Sequence, residues 1–335
     1  MPKLLPTHRR IDSRFLPAIG SVVTLIVILG VGEMRYGIGN GARPFISMKL
    51  FSNLLIDNSY LLVLAVGMTF VILTGGIDLS VGAVVALVGL ITAKAFMAGL
   101  PLPLVLLLGV LVGTACGTAI GILVQVFDIQ PFIASLAVMF LARGLANVVS
   151  VESLPIKNDD FAALAAWSLK FDEGKALWRV NASMIVAALI VLIGFIVLHY
   201  TRFGRSVYGL GAGDRGQAVQ LMGLNDAGTR FGVYVISGTC AGVAGILFAL
   251  YTKSGFNLTG VGMELDAIAA VVIGGTLLAG GYGFVLGSGV GVVIYGLIQV
   301  LIAREGLDSW WTKVFIGVVL LAFVFLQRVI VRRRE

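Results

Sequence analysis

The segment Gly75-Gly76-Ile77-Asp78-Leu79-Ser80-Val81-Gly82 carries the chemistry that stands out in this chain. It places a glycine pair, a carboxylate and a hydroxyl between two apolar runs, residues 61–73 and 83–91. Backbone breaks at membrane depth only where protein or a water-filled cavity satisfies the freed N–H and C=O groups. Broken helices of that kind line solute paths. A carboxylate in such a place is expensive and faces a cavity or a partner. A plainer role is also open to it: Asp78 or Ser80 caps a helix that starts near Val81, giving an oxygen to its orphan N–H groups. A second glycine pair, Gly274-Gly275, ends another short apolar run. Gly75, Gly76, Asp78, Ser80, Gly274 and Gly275 are therefore the candidate lining of a translocation path.

Other residue groups support fewer chemistries. Arg143 lies inside an apolar run with Asn147 one turn on, so the two share a helix face. An arginine there either snorkels to the membrane edge or pairs with an acid. Asp128, Gln130 and Pro131 mark a turn. Gly109, Gly113, Gly117 and Gly121 recur at every fourth residue and make a small-residue face for close helix approach, within the chain or across a dimer seam. Asp159-Asp160 is a lone acidic pair with no second aspartate-rich motif, so no metal site is expected. Cys116 and Cys240 both fall in apolar runs and read as packing residues; no disulfide framework, metal or cofactor is expected. His8 and His199 sit beside basic residues at predicted membrane edges. The chain has no G-x-x-x-x-G-K-[ST] loop, so it does not hydrolyse ATP by the P-loop route, and it is not expected to be an enzyme.

Those residues need elements to hold them, and the composition says which. The apolar fraction is 59%, charged residues are 12%, and the mean hydropathy is +1.03 over 335 residues. Soluble domains sit near half apolar and a quarter charged. The net charge of +7 comes from clusters that flank apolar runs, such as His8-Arg9-Arg10, Arg202 with Arg205, and Arg328 to Arg334. That pattern anchors spans in a membrane rather than binding nucleic acid. A span needs about 20 mostly apolar residues. On that rule about ten are expected: 15–32, 58–73, 79–98, 102–126, 132–150, 181–200, 229–252, 265–278, 283–303 and 311–331. The first is read as an uncleaved helix, because its apolar part is too long for a signal peptide and Glu33-Met34-Arg35 follow where a cleavage site would stand. The fold class is thus all-α and polytopic, a single domain over 1–335 with a cytoplasmic tail at 1–14. Both termini fall on the cytoplasmic side, and all four tryptophans fall outside. Two connections are long: an outer loop at 151–180, and an inner loop at 201–228 with a short helix near 217–222.

Three blocks resemble a known family. Residues 66–82 are similar to the signature of sugar permeases from binding-protein-dependent ABC importers of the ribose and galactose group. Thr201-Arg202-Phe203-Gly204-Arg205, with Gly209-Leu210-Gly211 and Leu221-Met222-Gly223-Leu224, resembles that family's cytoplasmic loop. Residues 264–276 resemble its third block. Glu152-Ser153-Leu154-Pro155-Ile156, Gly260 to Asp266 and Ser309 to Lys313 look most like the galactofuranose-type permease. The resemblance implies about ten helices in the manner of the vitamin B12 importer, and a second permease subunit, identical or not. It also implies cytoplasmic ATP-binding subunits, a periplasmic sugar-binding protein, and a place in a bacterial inner membrane. Asp214, Gln217, Gln220 and Gly223, in the inner loop, are then the expected docking residues for the ATPase. A branched-chain amino-acid permease and a stand-alone ion-coupled transporter are the alternative functions.

Overall fold

Long apolar runs become helices wherever nothing polar interrupts them, and the computed structural model follows that rule. It describes residues 16–37, 44–172, 177–211, 223 and 225–332. The helices are α1 (Leu16–Tyr36), α2 (Met48–Asp57), α3 (Ser59–Leu73), α4 (Val81–Met97), α5 (Leu102–Gln125), α6 (Pro131–Val149), α7 (Asp159–Ala166), α8 (Ala182–Tyr200), α9 (Arg202–Gly211), α10 (Asp226–Thr252), α11 (Met263–Ile273), α12 (Val285–Arg304) and α13 (Trp310–Arg332). Among the described residues four short strands accompany them: β1 (Leu154–Pro155), β2 (Ser168–Asp172), β3 (Leu177–Asn181) and β4 (Ser254–Gly255).

Helices α3 and α4 form the centre. They are apolar on every side, and nearly every residue in them is buried, as expected of an all-round hydrophobic helix. Helix α10 packs along both. The outer helices bury one stripe and expose another: Val22, Val23, Ile26 and Val27 of α1, Leu189, Leu192 and Ile193 of α8, and Val318, Leu321 and Phe325 of α13. Apolar side chains exposed along whole helices suit a hydrocarbon surrounding, and the protein is a multi-pass membrane protein.

Among the described residues, six helices are long and apolar enough to cross a bilayer, or seven if α2 and α3, bent by 65° at Asn58, make one span. The ten expected segments all contain helix, but several are short. Helix α11 has 11 residues, about 16 Å at 1.5 Å per residue, half the thickness of the hydrocarbon core. Helix α4 has 17 residues and begins beyond the break at 74–80.

Three sequence expectations need correction. Helix α2 is absent from the expected segments, because Ser52, Asn53 and Asp57 interrupt its apolar pattern. It is nonetheless capped by Ser47, whose Oγ accepts the Leu50 N–H at 3.3 Å. The outer connection is not plain loop: it holds α7, capped by Asn158, and the antiparallel β2–β3 pair, with Ser168 opposite Asn181 and Asp172 opposite Leu177. The inner connection opens as helix α9. The short helix expected near 217–222 lies outside the described residues.

The four-residue glycine stripe of α5 packs within the chain. A Cβ on Gly113 would meet the backbone of Gly238 and Gly242, one on Gly117 the backbone of Tyr234 and Gly238, and one on Gly121 the ring of Phe231. Backbone meets backbone along α5 and α10, and the hydroxyls of Thr114 and Thr239 join across the same seam at 2.9 Å. The stripe is thus used up inside the subunit.

Candidate functional site

The first glycine pair ends α3 in a hydrogen-bonded left-handed turn. Gly75 has φ +78°; its N–H donates to Ile72 O at 2.9 Å, and the Gly76 N–H donates to Val71 O at 3.1 Å. This is the paired C-terminal cap that glycine permits. The second glycine pair repeats it. Gly275 has φ +94° and donates to Val272 O at 2.9 Å, while Thr276 donates to Val271 O at 3.2 Å. The two breaks touch: the Gly281 N–H donates to Leu73 O at 2.9 Å, and Gly211, the last residue of α9, packs on both Leu73 and Gly280-Gly281.

From Gly76 the chain turns back into the bundle without helix. The Ile77 carbonyl accepts from Ser135 Oγ of α6 at 3.2 Å. Asp78 is wholly buried. Its Oδ1 accepts from the Ser80 N–H at 2.9 Å and from Ser80 Oγ at 2.7 Å, and its Oδ2 accepts from Ser237 Oγ of α10 at 2.7 Å. Ser237 lies against Gly67, six residues before the end of α3, or about 9 Å up its axis. Asp78 is therefore held well inside the bundle. The expected cap differs in detail: Ser80 is the N-cap residue of α4 but makes no side-chain capping bond, and Asp78 serves the N–H of Ser80 instead of the first turn. The carboxylate ties the break to α10.

A cavity of about 620 Å³ opens beside this break. Thr74, Gly75, Gly76 and Ile77 form one wall, Asp128 to Phe132 another, and Leu210, Arg230 and Tyr234 close the rest. Arg230 is held by Asp226 at 2.7 Å, one turn earlier, and the Tyr234 hydroxyl packs on Gly76. Of the six predicted path residues, Gly75 and Gly76 line the cavity. Asp78 and Ser80 lie behind the wall as its support. Gly274 packs on the Gly287 backbone and Gly275 on Pro17-Ala18 of α1, where Ser21 Oγ donates to Ile273 O at 2.6 Å.

A second junction lies deeper. Gly82, in the first turn of α4, packs on the Gly260 backbone and the Glu264 carboxylate. Glu264, in the first turn of α11, accepts from the Gly262 N–H at 3.2 Å. The N-termini of two short helices thus meet inside the protein, and a carboxylate sits where their positive ends converge. Arg143 does not pair directly with an acid among the described residues. It donates to Asn257 O at 2.5 Å and Thr259 O at 2.8 Å, and Asn257 Nδ2 donates to Asn147 Oδ1 at 2.5 Å. Arg143 and Asn147 together clamp the irregular stretch that leads into α11.

The comparisons with known proteins bear on this geometry. The model of the family described as "Branched-chain amino acid transport system / permease component" matches residues 50–324. The chain belongs to this permease family. It is similar to the inner membrane ABC transporter permease protein YjfF of Escherichia coli, 45% identical over 91% of each chain. It is also similar to the fructose import permease protein FruG of Bifidobacterium longum, 40% identical over 96% of this chain and 93% of that one. The ribose import permease protein RbsC of Escherichia coli is 33% identical over 92% of each. No solved structure matches the chain.

In this permease Ser237, Tyr234, Arg230 and Glu264 complete the two junctions, and none of them was singled out from the sequence. Gly260-x-Gly262-x-Glu264 offered a local signal, since two glycines just before a helix and a carboxylate in its first turn mark an N-terminus. Of the residues expected to meet an ATPase, Gly223 is described, with φ +66°. Asp214, Gln217 and Gln220 lie outside the described residues.

Proposed function

We propose that this chain is the membrane-spanning permease subunit of an ABC importer that carries a monosaccharide into the cytoplasm. The observation that carries the proposal is similarity along nine-tenths of the chain to permeases named for fructose and ribose import, joined by one named for galactofuranose transport. The cargo is a sugar of this kind rather than a branched-chain amino acid. Gly75 and Gly76, with Asp78 and Ser80 behind them, form the inner end of the path, and the 620 Å³ cavity is its exit chamber. Gly274 and Gly275 hold the neighbouring break against α1. Ten spans, counting α3, α4 and α11 with their non-helical extensions and α13 over Trp310–Arg332, give an arrangement of the vitamin B12-importer kind, with both termini on the cytoplasmic face of a bacterial inner membrane. Cytoplasmic ATP-binding subunits dock on 201–228, a periplasmic sugar-binding protein docks outside, and a second permease subunit completes the pore.

Reconstitution tests this. The chain alone in sealed vesicles should neither hydrolyse ATP nor concentrate sugar. With its ATPases and binding protein it should do both, and uncoupling ionophores should leave uptake intact. Sugar accumulation by the isolated chain, abolished by an ionophore, would overturn the proposal in favour of an ion-coupled carrier.

A further inference from the structure

A smaller cavity, about 240 Å³, lies at the other end of the bundle, where the end of α2, the turn from α7 into β2, and the end of α10 come together. Its floor includes the buried apolar side chains Ile56 and Leu250. Around it stand Asp57, Trp167, Arg179, Asn181 and Lys253. Trp167 is 46% exposed, and its ring stacks on no other ring among the described residues. Asp57, Arg179 and Lys253 make no ion pair among the described residues, although Arg179 is near enough to act on the Asp57 charge. The Asn181 Oδ1 is committed to the Met184 N–H at 2.9 Å, which leaves its amide hydrogens as donors.

This set of groups selects a ligand class. Asp57 only accepts, whereas Arg179, Lys253 and the Asn181 amide nitrogen only donate. An anion would meet the Asp57 carboxylate, and a cation would meet Arg179 and Lys253. A neutral molecule with hydroxyls around its rim, each able to donate and accept, satisfies both kinds of group. An apolar floor and an open indole face suit a molecule whose flat side presents C–H groups. A monosaccharide has all of these features, and the cavity is of the size to hold one.

We propose that this cavity is a weak monosaccharide site at the entrance face of the permease, with Trp167 as the stacking platform and Asp57 and Arg179 as the hydroxyl-binding pair. The inference rests on the sugar-permease reading and adds to it a site on this chain itself.

The test uses the purified full chain in nanodiscs of phosphatidylcholine, with D-fructose, D-ribose and D-galactose as probes. Saturation-transfer NMR and tryptophan fluorescence report binding. For a Kd of about 1 mM, sugar at about 10 mM fills most sites. Trp167→Ala and Asp57→Asn should each weaken binding about tenfold, and Trp310→Phe should leave it unchanged. Binding of none of the three sugars overturns the site. So does binding that both variants leave intact, or binding that anionic phosphatidylglycerol abolishes, which would make the cavity a lipid headgroup site. Uptake by the assembled importer separates the two claims. A wild type that carries no sugar overturns the transport reading and this site with it. Normal uptake with no sugar bound at the cavity overturns this site alone.

Discussion

Replacing Asp78 by alanine removes the acceptor for three hydrogen bonds, from the Ser80 N–H, Ser80 Oγ and Ser237 Oγ. A hydrogen bond to a charged group is worth about 1.5–3 kcal/mol, and a buried donor left unpaired costs about 1–3 kcal/mol. The hydroxyls can turn to nearby carbonyls, but the Ser80 N–H has no such freedom. A net loss of about 3 kcal/mol follows, which corresponds to a factor of about 150 in the equilibrium that keeps the break seated. Asparagine in place of Asp78 would behave differently. Its oxygen still accepts from both Ser80 donors, and its amide donates to Ser237 Oγ, which accepts in turn. The remaining loss is the charge assistance, about 1 kcal/mol. Asp78→Ala should thus lower the melting temperature of the detergent-solubilised protein by about 5 °C and cut uptake in vesicles, with Asp78→Asn close to wild type in both. Wild-type behaviour of the alanine variant would refute the claim that the carboxylate seats the break. An asparagine variant as damaged as the alanine one would show that the charge itself is used.

Further outcomes follow from the same geometry. Gly76→Ala puts a Cβ against the Tyr234 hydroxyl, so Tyr234→Phe should rescue it; a double-mutant cycle in thermal stability should give a favourable coupling of about 1 kcal/mol, and strict additivity would refute the contact. Gly113→Val should abolish monodisperse expression, because its Cβ would meet the Gly238 and Gly242 backbones, whereas Gly144→Ala, with open space around it, should be neutral by size-exclusion profile. Arg143→Ala should cost about 2–4 kcal/mol by removing two charge-assisted bonds and should expose the 255–262 stretch to faster hydrogen exchange; unchanged exchange there would refute the clamp.

Much of this protein was legible in the sequence, because the signals are local. An uninterrupted apolar run specifies a helix wherever it sits, so α5, α8 and α10 fall within a few residues of the segments expected. A glycine pair at the end of such a run specifies a left-handed cap, so both breaks stand where Gly75-Gly76 and Gly274-Gly275 placed them. Other features depend on partners far along the chain. Helix α2 carries polar residues that read as loop, and it forms because its apolar face is buried against the bundle. Whether the α5 glycine stripe faced inward or outward depended on α10, more than a hundred residues later. Asp78 could be recognised as costly, but its partner Ser237 is 159 residues away. Likewise Arg143 finds carbonyls at 257 and 259, and the N-termini of α4 and α11 meet only when the bundle closes. No periodicity in the sequence records which distant backbone will lie beside a given side chain; only the packed structure decides that.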